Sequence, residues 1–267
     1  DSLTLMPDLQ EEIHKALVES GANVFRARVI AKFVSQCYEL LMQAHHDLVE
    51  PARWKKFCRK KGATTQEKES STSPTRNIAE TAISADLSYE ANRLLAVPVL
   101  GTSPFVLKTD ISATQADVTT PSEFSTGRRS KRPDIIFLPA SLETKLTFAL
   151  EAKVIRKVIH ITNDLLGEAG FGCFIRADDP YESNGVIGLL GYVEKASVDS
   201  MTSQALNDIQ NHASFEGAGV DDFELAYSTN KHQSRLILSR VIGQQSMVCV
   251  TSMLGMDLVT AWPVLPD

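Results

Sequence analysis

The chain has 267 residues and a mass of 29.3 kDa, 43% hydrophobic and 22% charged. These values fit one large domain, or a core with a smaller appendage, and exclude bulk disorder. No run of about 18 consecutive apolar residues occurs, so no transmembrane helix and no membrane partner are expected.

The first fourteen residues, DSLTLMPDLQEEIH, lack the basic start and apolar core of a secretory signal. Residues 8–22 read as a short amphipathic helix with an acidic first turn, which suits the helix dipole. A longer helix follows. Phe25, Val29, Phe33, Cys37 and Leu41 recur every fourth residue, flanked by Ile30, Val34 and Met42. Such a stripe needs a surface, either the rest of the fold or a partner. Next, residues 51–62 carry Arg53, Lys55, Lys56, Arg59, Lys60 and Lys61 and no acid. Residues 63–76 are polar, cannot bury a core, and read as a linker or loop. The organisation expected is therefore an N-terminal helical segment (1–62), a linker (63–76) and a core domain (77–267).

Residues 77–96 are helical again, with Ile83, Leu87, Ala91, Leu94 and Leu95 on one face. Beyond them the pattern changes to short apolar runs: VPVLGTSPFVLKTD, PDIIFLP, LTFALEAKVI and NGVIGLLGYVE. They read as strands, several buried on both faces. Helices are expected near 160–172 and at 204–213, and further strands at DDFELAYST and SMVCVTSM. The alternation predicts an α/β fold: a mixed central β-sheet flanked by helices, with an N-terminal helical extension.

Cys37, Cys58, Cys173 and Cys249 form no CxxC pair, so a zinc ribbon or redox motif is not expected and reduced thiols are. His45 and His46 are adjacent on a helix and point about 100° apart, which does not suit one shared ion. His232 lies in a polar loop and reads as a surface residue. Gly185, Gly188 and Gly191 recur through one strand, where another backbone or a nucleic acid can approach closely. Neither a phosphate-binding GxxxxGK[ST] loop nor a GxSxG elbow is present, which argues against ATP hydrolysis and against a serine hydrolase.

The chemistry concentrates in residues 128–157. Asp134 opens one apolar strand; Glu151 and Lys153 sit near the end of the next. Alternation puts Glu151 and Lys153 on one face and Ala152 on the other. Charges inside a buried strand cost free energy unless a partner or a metal compensates them. If the two strands pair, both carboxylates converge on one divalent cation, with the Ala152 carbonyl as a further ligand. Oxygen ligands suit Mg²⁺. Such an ion polarises a phosphate and acidifies a bound water, and Lys153 would orient that water or offset developing charge. Residues 124–157 hold eight basic side chains against three acids, a balance of +5, and residues 51–62 add +6. The net charge is −6, so the remainder carries −17. Positive charge beside the carboxylates suits contacts to nucleic-acid phosphates.

Pro133-Asp134, sixteen residues, then Glu151-Ala152-Lys153 resembles the signature of the PD-(D/E)xK nuclease superfamily, whose core is restriction-endonuclease-like. Phe174-Ile175, Tyr181 and the strand GVIGLLGYV look like a segment of its bacterial members; Cys173 stands where a basic residue is expected. The resemblance spans roughly residues 77–260. It implies Asp134 and Glu151 as metal ligands for Mg²⁺ or Mn²⁺, Lys153 as the catalytic lysine, and DNA as substrate. It also implies an additional acid from the preceding helix, Glu80 or Glu90, with Glu90 slightly favoured. Arg128, Arg129, Lys131, Arg132, Arg156 and Lys157 are the expected phosphate contacts. The setting it implies is cytoplasmic and bacterial, in restriction or anti-phage defence. An alternative is a subunit gated by an ATPase or sensor partner, or a homo-oligomer assembled through the N-terminal helices. A third is a relative that binds nucleic acid without cutting it.

Overall fold

The computed structural model describes residues 7–59, 64–66, 76–96, 107–110, 133–139, 146–176, 180–181, 183–194, 196–221, 234–242 and 247–256. Three helices come first. α1 (Pro7–Glu19) ends at Gly21, whose φ of 95° is open to glycine. Ala22 N–H donates to the Leu17 carbonyl and Gly21 N–H to that of Val18, the paired bonds of a Schellman stop. α2 (Val24–Val49) starts where the Asn23 side chain accepts Phe25 N–H at 3.0 Å and Arg26 N–H at 3.3 Å. Pro51 opens α3 (Pro51–Cys58), because proline fits a helix's first turn and not its interior.

Two short strands, β1 (Thr64–Gln66) and β2 (Arg76–Ile78), pair antiparallel. The stretch expected as a linker thus contributes a strand. Next come α4 (Glu80–Ala96), β3 (Leu107–Asp110), β4 (Ile135–Pro139) and β5 (Phe148–Ile155). A π-helical turn (Ile161–Leu165) and the short α5 (Gly172–Ile175) occupy the region expected as one helix. The chain then runs through β6 (Val186–Glu194), α6 (Val198–Asn211), β7 (Phe215–Asp221), β8 (Ser234–Val241) and β9 (Val248–Met256). β7 and β8 were not expected as strands. Nearly all of the strand expected at 221–229 lies outside the described residues.

The main sheet has the order β3-β4-β5-β6-β9-β8-β7. β5, β6 and β9 run parallel to one another, while β3–β4, β4–β5, β7–β8 and β8–β9 pair antiparallel. The protein is therefore α/β with a mixed open sheet. β6 and β9 are buried along their whole length, which explains their unbroken apolar runs.

Each face of the sheet carries its own apolar cluster. On one face Phe148, Leu150, Ala152, Val154, Leu190 and Tyr192 pack under α1–α4. On the other, Ala149, Ile155, Leu189, Val193 and Met253 pack under the π-turn, α5 and α6. The stripe of α2 lies in the first cluster: Phe33, Cys37 and Leu41 are buried, and only its first member, Phe25, is largely exposed. Tyr38 Oη donates to the Val250 carbonyl at 3.1 Å, and His45 Nε2 meets the Gly255 carbonyl at 3.0 Å. Both contacts fasten α2 across β9. The N-terminal helices are thus one layer of the core rather than an extension of it. The physical reason is mutual: the stripe needs an apolar surface, and this face of the sheet needs a cover.

Gly188 and Gly191 admit side chains, not another backbone. A Cβ on Gly188 would lie 2.2 Å from Leu150 Cδ2, and one on Gly191 2.6 Å from Met253 Sδ.

Candidate active site at the open edge of β5

β4 and β5 pair antiparallel, and their ladder ends at Ile135 opposite Leu150. β5 continues through Ile155, bonded to β6 on one side and, among the described residues, without a strand on the other. The backbone N–H groups of Ala152 and Val154 face that open edge, and carboxylates take them. Asp134, one residue before β4, accepts Ala152 N–H through Oδ2 at 2.8 Å. Glu80, the first residue of α4, accepts Val154 N–H through Oε2 at 3.2 Å. Two acids stand in for the missing strand, as buried backbone donors require.

Glu151 and Lys153 project from the same face of β5, and Ala152 from the other, where it joins the cluster under α2 and α4. Glu151 is only 6% exposed. Lys153 Nζ lies 2.7 Å from Glu151 Oε1, 2.8 Å from the Ala152 carbonyl and 3.4 Å from Glu80 Oε1. Glu151 Oε2 is buried with no hydrogen-bond partner among the described residues. Two carboxylates therefore share one ammonium group, and the charge of a third, Asp134, acts on it as well.

The protonation equilibria reflect this imbalance. Burial, then the Asp134 charge, push the Glu151 carboxyl up to about 7, against the pull of Lys153. Burial also raises Asp134, countered by the Ala152 N–H bond and Lys153. Burial raises Glu80, with Lys153 opposing and Asp134 reinforcing. Burial works against the Lys153 ammonium, but Glu151 and Glu80 outweigh it and its pKa rises. The lysine stays charged while the acids compete for it.

The donor set fits a hard divalent cation. It offers the unpartnered Glu151 Oε2, the Asp134 carboxylate and the Ala152 carbonyl, all oxygens. Among the described residues no group of three His, Cys, Asp or Glu side chains forms a ready metal cage. Mg²⁺ needs none, since it uses one or two carboxylates and keeps several waters. Lys153 Nζ, now on Glu151 Oε1 and the Ala152 carbonyl, would have to give up the carbonyl.

The remaining expected residues are placed as follows. Glu90 is ten residues beyond Glu80 on α4, about 15 Å along the helix axis. Its carboxylate is held by Arg53 Nη1 at 2.7 Å and Arg93 Nε at 2.6 Å, and Arg93 also reaches Asp47 at 2.6 Å. Glu90 fastens α4 to α3, and Glu80 is the helix acid beside Lys153. Arg156 Nε binds the buried Glu194 at 2.8 Å, and Lys157 is exposed in the turn after β5. Arg128, Arg129, Lys131 and Arg132 lie outside the described residues, as does His232.

Phe174 and Tyr181, from the segment singled out in the sequence, meet edge to face at 5.3 Å. Burial, and next the Glu151 charge, raise the Tyr181 pKa. Cys173 is buried, with Sγ 3.5 Å from the Glu168 carbonyl. The other three cysteines are buried thiols too, and burial pushes Cys58 up to about 11 and Cys249 up to about 12.

Sequence reasoning missed a cleft of about 480 Å³ beside Lys153, bounded by Glu80, Thr81, Lys153, Arg156, His160 and Asp164. No local pattern marks it, because its walls come from α4, β5 and the π-turn.

Compared with protein-family models, curated proteins and solved structures, the chain matches none of them. No helix among the described residues is long and apolar enough to cross a membrane.

Proposed function

We propose that the chain is a metal-dependent phosphodiesterase of the PD-(D/E)xK type, with a restriction-endonuclease-like core, acting on DNA as an endonuclease. The observation that carries this reading is the buried, unpartnered Glu151 Oε2 next to Asp134 and Lys153 at an open strand edge. Incompletely partnered, buried ionisable groups cluster at functional sites, and here a bound cation would supply the missing partner.

Asp134, Glu151 and the Ala152 carbonyl would hold Mg²⁺ or Mn²⁺. A divalent ion there supplies a Lewis acid for the scissile phosphate and a bound water of lowered pKa. Lys153 sits on the same edge, anchored by Glu80 and Glu151, where its ammonium can orient the attacking water and offset charge on the phosphate. The water oxygen bonds to phosphorus as the bond to the leaving sugar oxygen breaks. Arg156 and Lys157, with Arg128, Arg129, Lys131 and Arg132, would contact backbone phosphates. A bacterial restriction or anti-phage defence setting follows from the sequence resemblance. The partner-gated alternative rests on the acidic remainder of the chain (−17) and on the α2 stripe, and that stripe is mostly buried against the chain's own sheet.

The test is plasmid DNA with Mg²⁺, Mn²⁺ or EDTA, using wild type, Asp134→Asn and Lys153→Ala. Metal-dependent nicking or linearisation that both variants lose is the expected result. Wild-type rates in either variant would overturn the assignment.

A further inference from the structure

We propose that the cleft beside Lys153 seats the nucleotide next to the scissile phosphate, with His160 Nε2–H as a fixed donor to that nucleotide's phosphate. This rests on the nuclease reading above and assigns the substrate-binding side of the same site.

The first observation is a fixed tautomer. Arg156 N–H donates to His160 Nδ1 at 3.2 Å. A ring nitrogen that accepts carries no proton, so the neutral imidazole holds its proton on Nε2. Among the described residues no group accepts from that Nε2–H. His160 lines the cleft, and the backbone bond to Nδ1 leaves Nε2–H as its one ring donor.

The second observation is the company it keeps. The cleft's volume of about 480 Å³ lies within the ~300–1,000 Å³ of small-ligand clefts. Lys153 on β5 and Arg156 just beyond it bring cationic groups to the cleft, each already ion-paired: Lys153 with Glu151 and Glu80, Arg156 with the fully buried Glu194. Glu80 is already engaged by Lys153 and by Val154 N–H. Asp164, which also lines the cleft, repels a second phosphate and suits a base N–H.

The third observation is the turn between Arg156 and His160. It exposes Lys157 together with Val158 and Ile159, which are 45% and 53% exposed. Val158 and Ile159 lie outside the cleft's lining, in the turn that leads into His160, where an exposed apolar pair can meet a base of the same substrate. A simple anion site would need only the cations.

The test uses the full chain with His160→Ala and His160→Gln. Glutamine keeps an N–H donor at similar reach. On a short DNA duplex with Mg²⁺, His160→Ala should raise KM about tenfold or more with kcat within about threefold, and His160→Gln should restore most of the loss. A second readout needs no cleavage. In the ¹⁵N spectrum of the histidine rings, the His160 signals, identified by their loss in His160→Gln, should show the Nε2–H tautomer. They should move with thymidine 5′-monophosphate and much less with inorganic phosphate. Unmoved ring signals, an unchanged KM in His160→Ala, or an equal response to inorganic phosphate would each overturn the nucleotide subsite. If wild type cuts no DNA but the nucleotide still moves His160, the cleavage reading fails and the subsite stands.

Discussion

Replacing Glu151 with glutamine removes a charge that the fold buries and leaves half-partnered, while keeping the side chain's shape. The perturbation can be sized from the carboxyl itself. Its ordinary value is 4.5, and the folded chain holds it at about 7. The folded state therefore binds this proton more tightly than the unfolded state does. The resulting stability is fully present below about pH 4.5 and is lost as pH rises through 7. The full difference is about 3 kcal/mol at pH 8, with Lys153 in place. Glutamine resembles the protonated form at every pH, so Glu151→Gln should be more stable than wild type by up to that amount at pH 8. The two should converge near pH 5. For a chain of this size about 3 kcal/mol corresponds to roughly 6–12 °C in Tm. Thermal unfolding in EDTA from pH 5 to 8.5 measures it. Adding Mg²⁺ should then raise the Tm of wild type and not of Glu151→Gln, since ligand binding stabilises only a chain that can bind. A variant no more stable than wild type at pH 8 without metal would refute the argument that this carboxylate is strained by burial and by Asp134.

Three further outcomes are expected. Glu80→Gln should weaken the Mg²⁺ dependence of cleavage about tenfold, because Glu80 anchors Lys153 and the β5 edge, whereas Glu90→Gln should leave it unchanged; a metal titration of the cleavage rate separates them. Tyr38→Phe loses the buried bond to the Val250 carbonyl and should cost about 1 kcal/mol in urea unfolding, with no change in slope. Gly188→Ala puts a methyl 2.2 Å from Leu150 Cδ2 and 2.9 Å from Phe148 Cζ, which should cost about 1–3 kcal/mol and lower activity by shifting Leu150, the neighbour of Glu151. Unchanged stability in Gly188→Ala would show that β5 and β6 are less tightly packed than described.

Much of this protein is written in local pattern. The four-residue stripe of α2 and the apolar runs of β4, β5, β6 and β9 each report a regular element, because periodicity is a property of neighbouring residues. The same rule puts Glu151 and Lys153 on one face of β5 and Ala152 on the other before any contact is known. Other elements were not legible. β7 contains glycines and a register shift between Glu216 and Gly219, which blur its pattern. The polar run at 63–76 and the basic run before it suggested a break between units, but composition cannot say what an upstream helix packs against.

The site divides in the same way. The sequence by itself determined which residue types stand on the β4–β5 pair and which face each takes, because side chains alternate along a strand that carries no bulge. Only the tertiary structure showed that Glu80, and not Glu90, lies beside Lys153. Both lie on one helix, and the choice turns on which end of α4 meets the open edge of β5 and which end meets Arg53 and Arg93. Only the tertiary structure, too, joined His160 to Lys153 across a cleft and left Glu151 Oε2 without a partner. Those outcomes depend on where β4 stops pairing and on which carboxylates reach the exposed N–H groups. They are set by long-range packing, about which the spacing of residues along the chain carries no information.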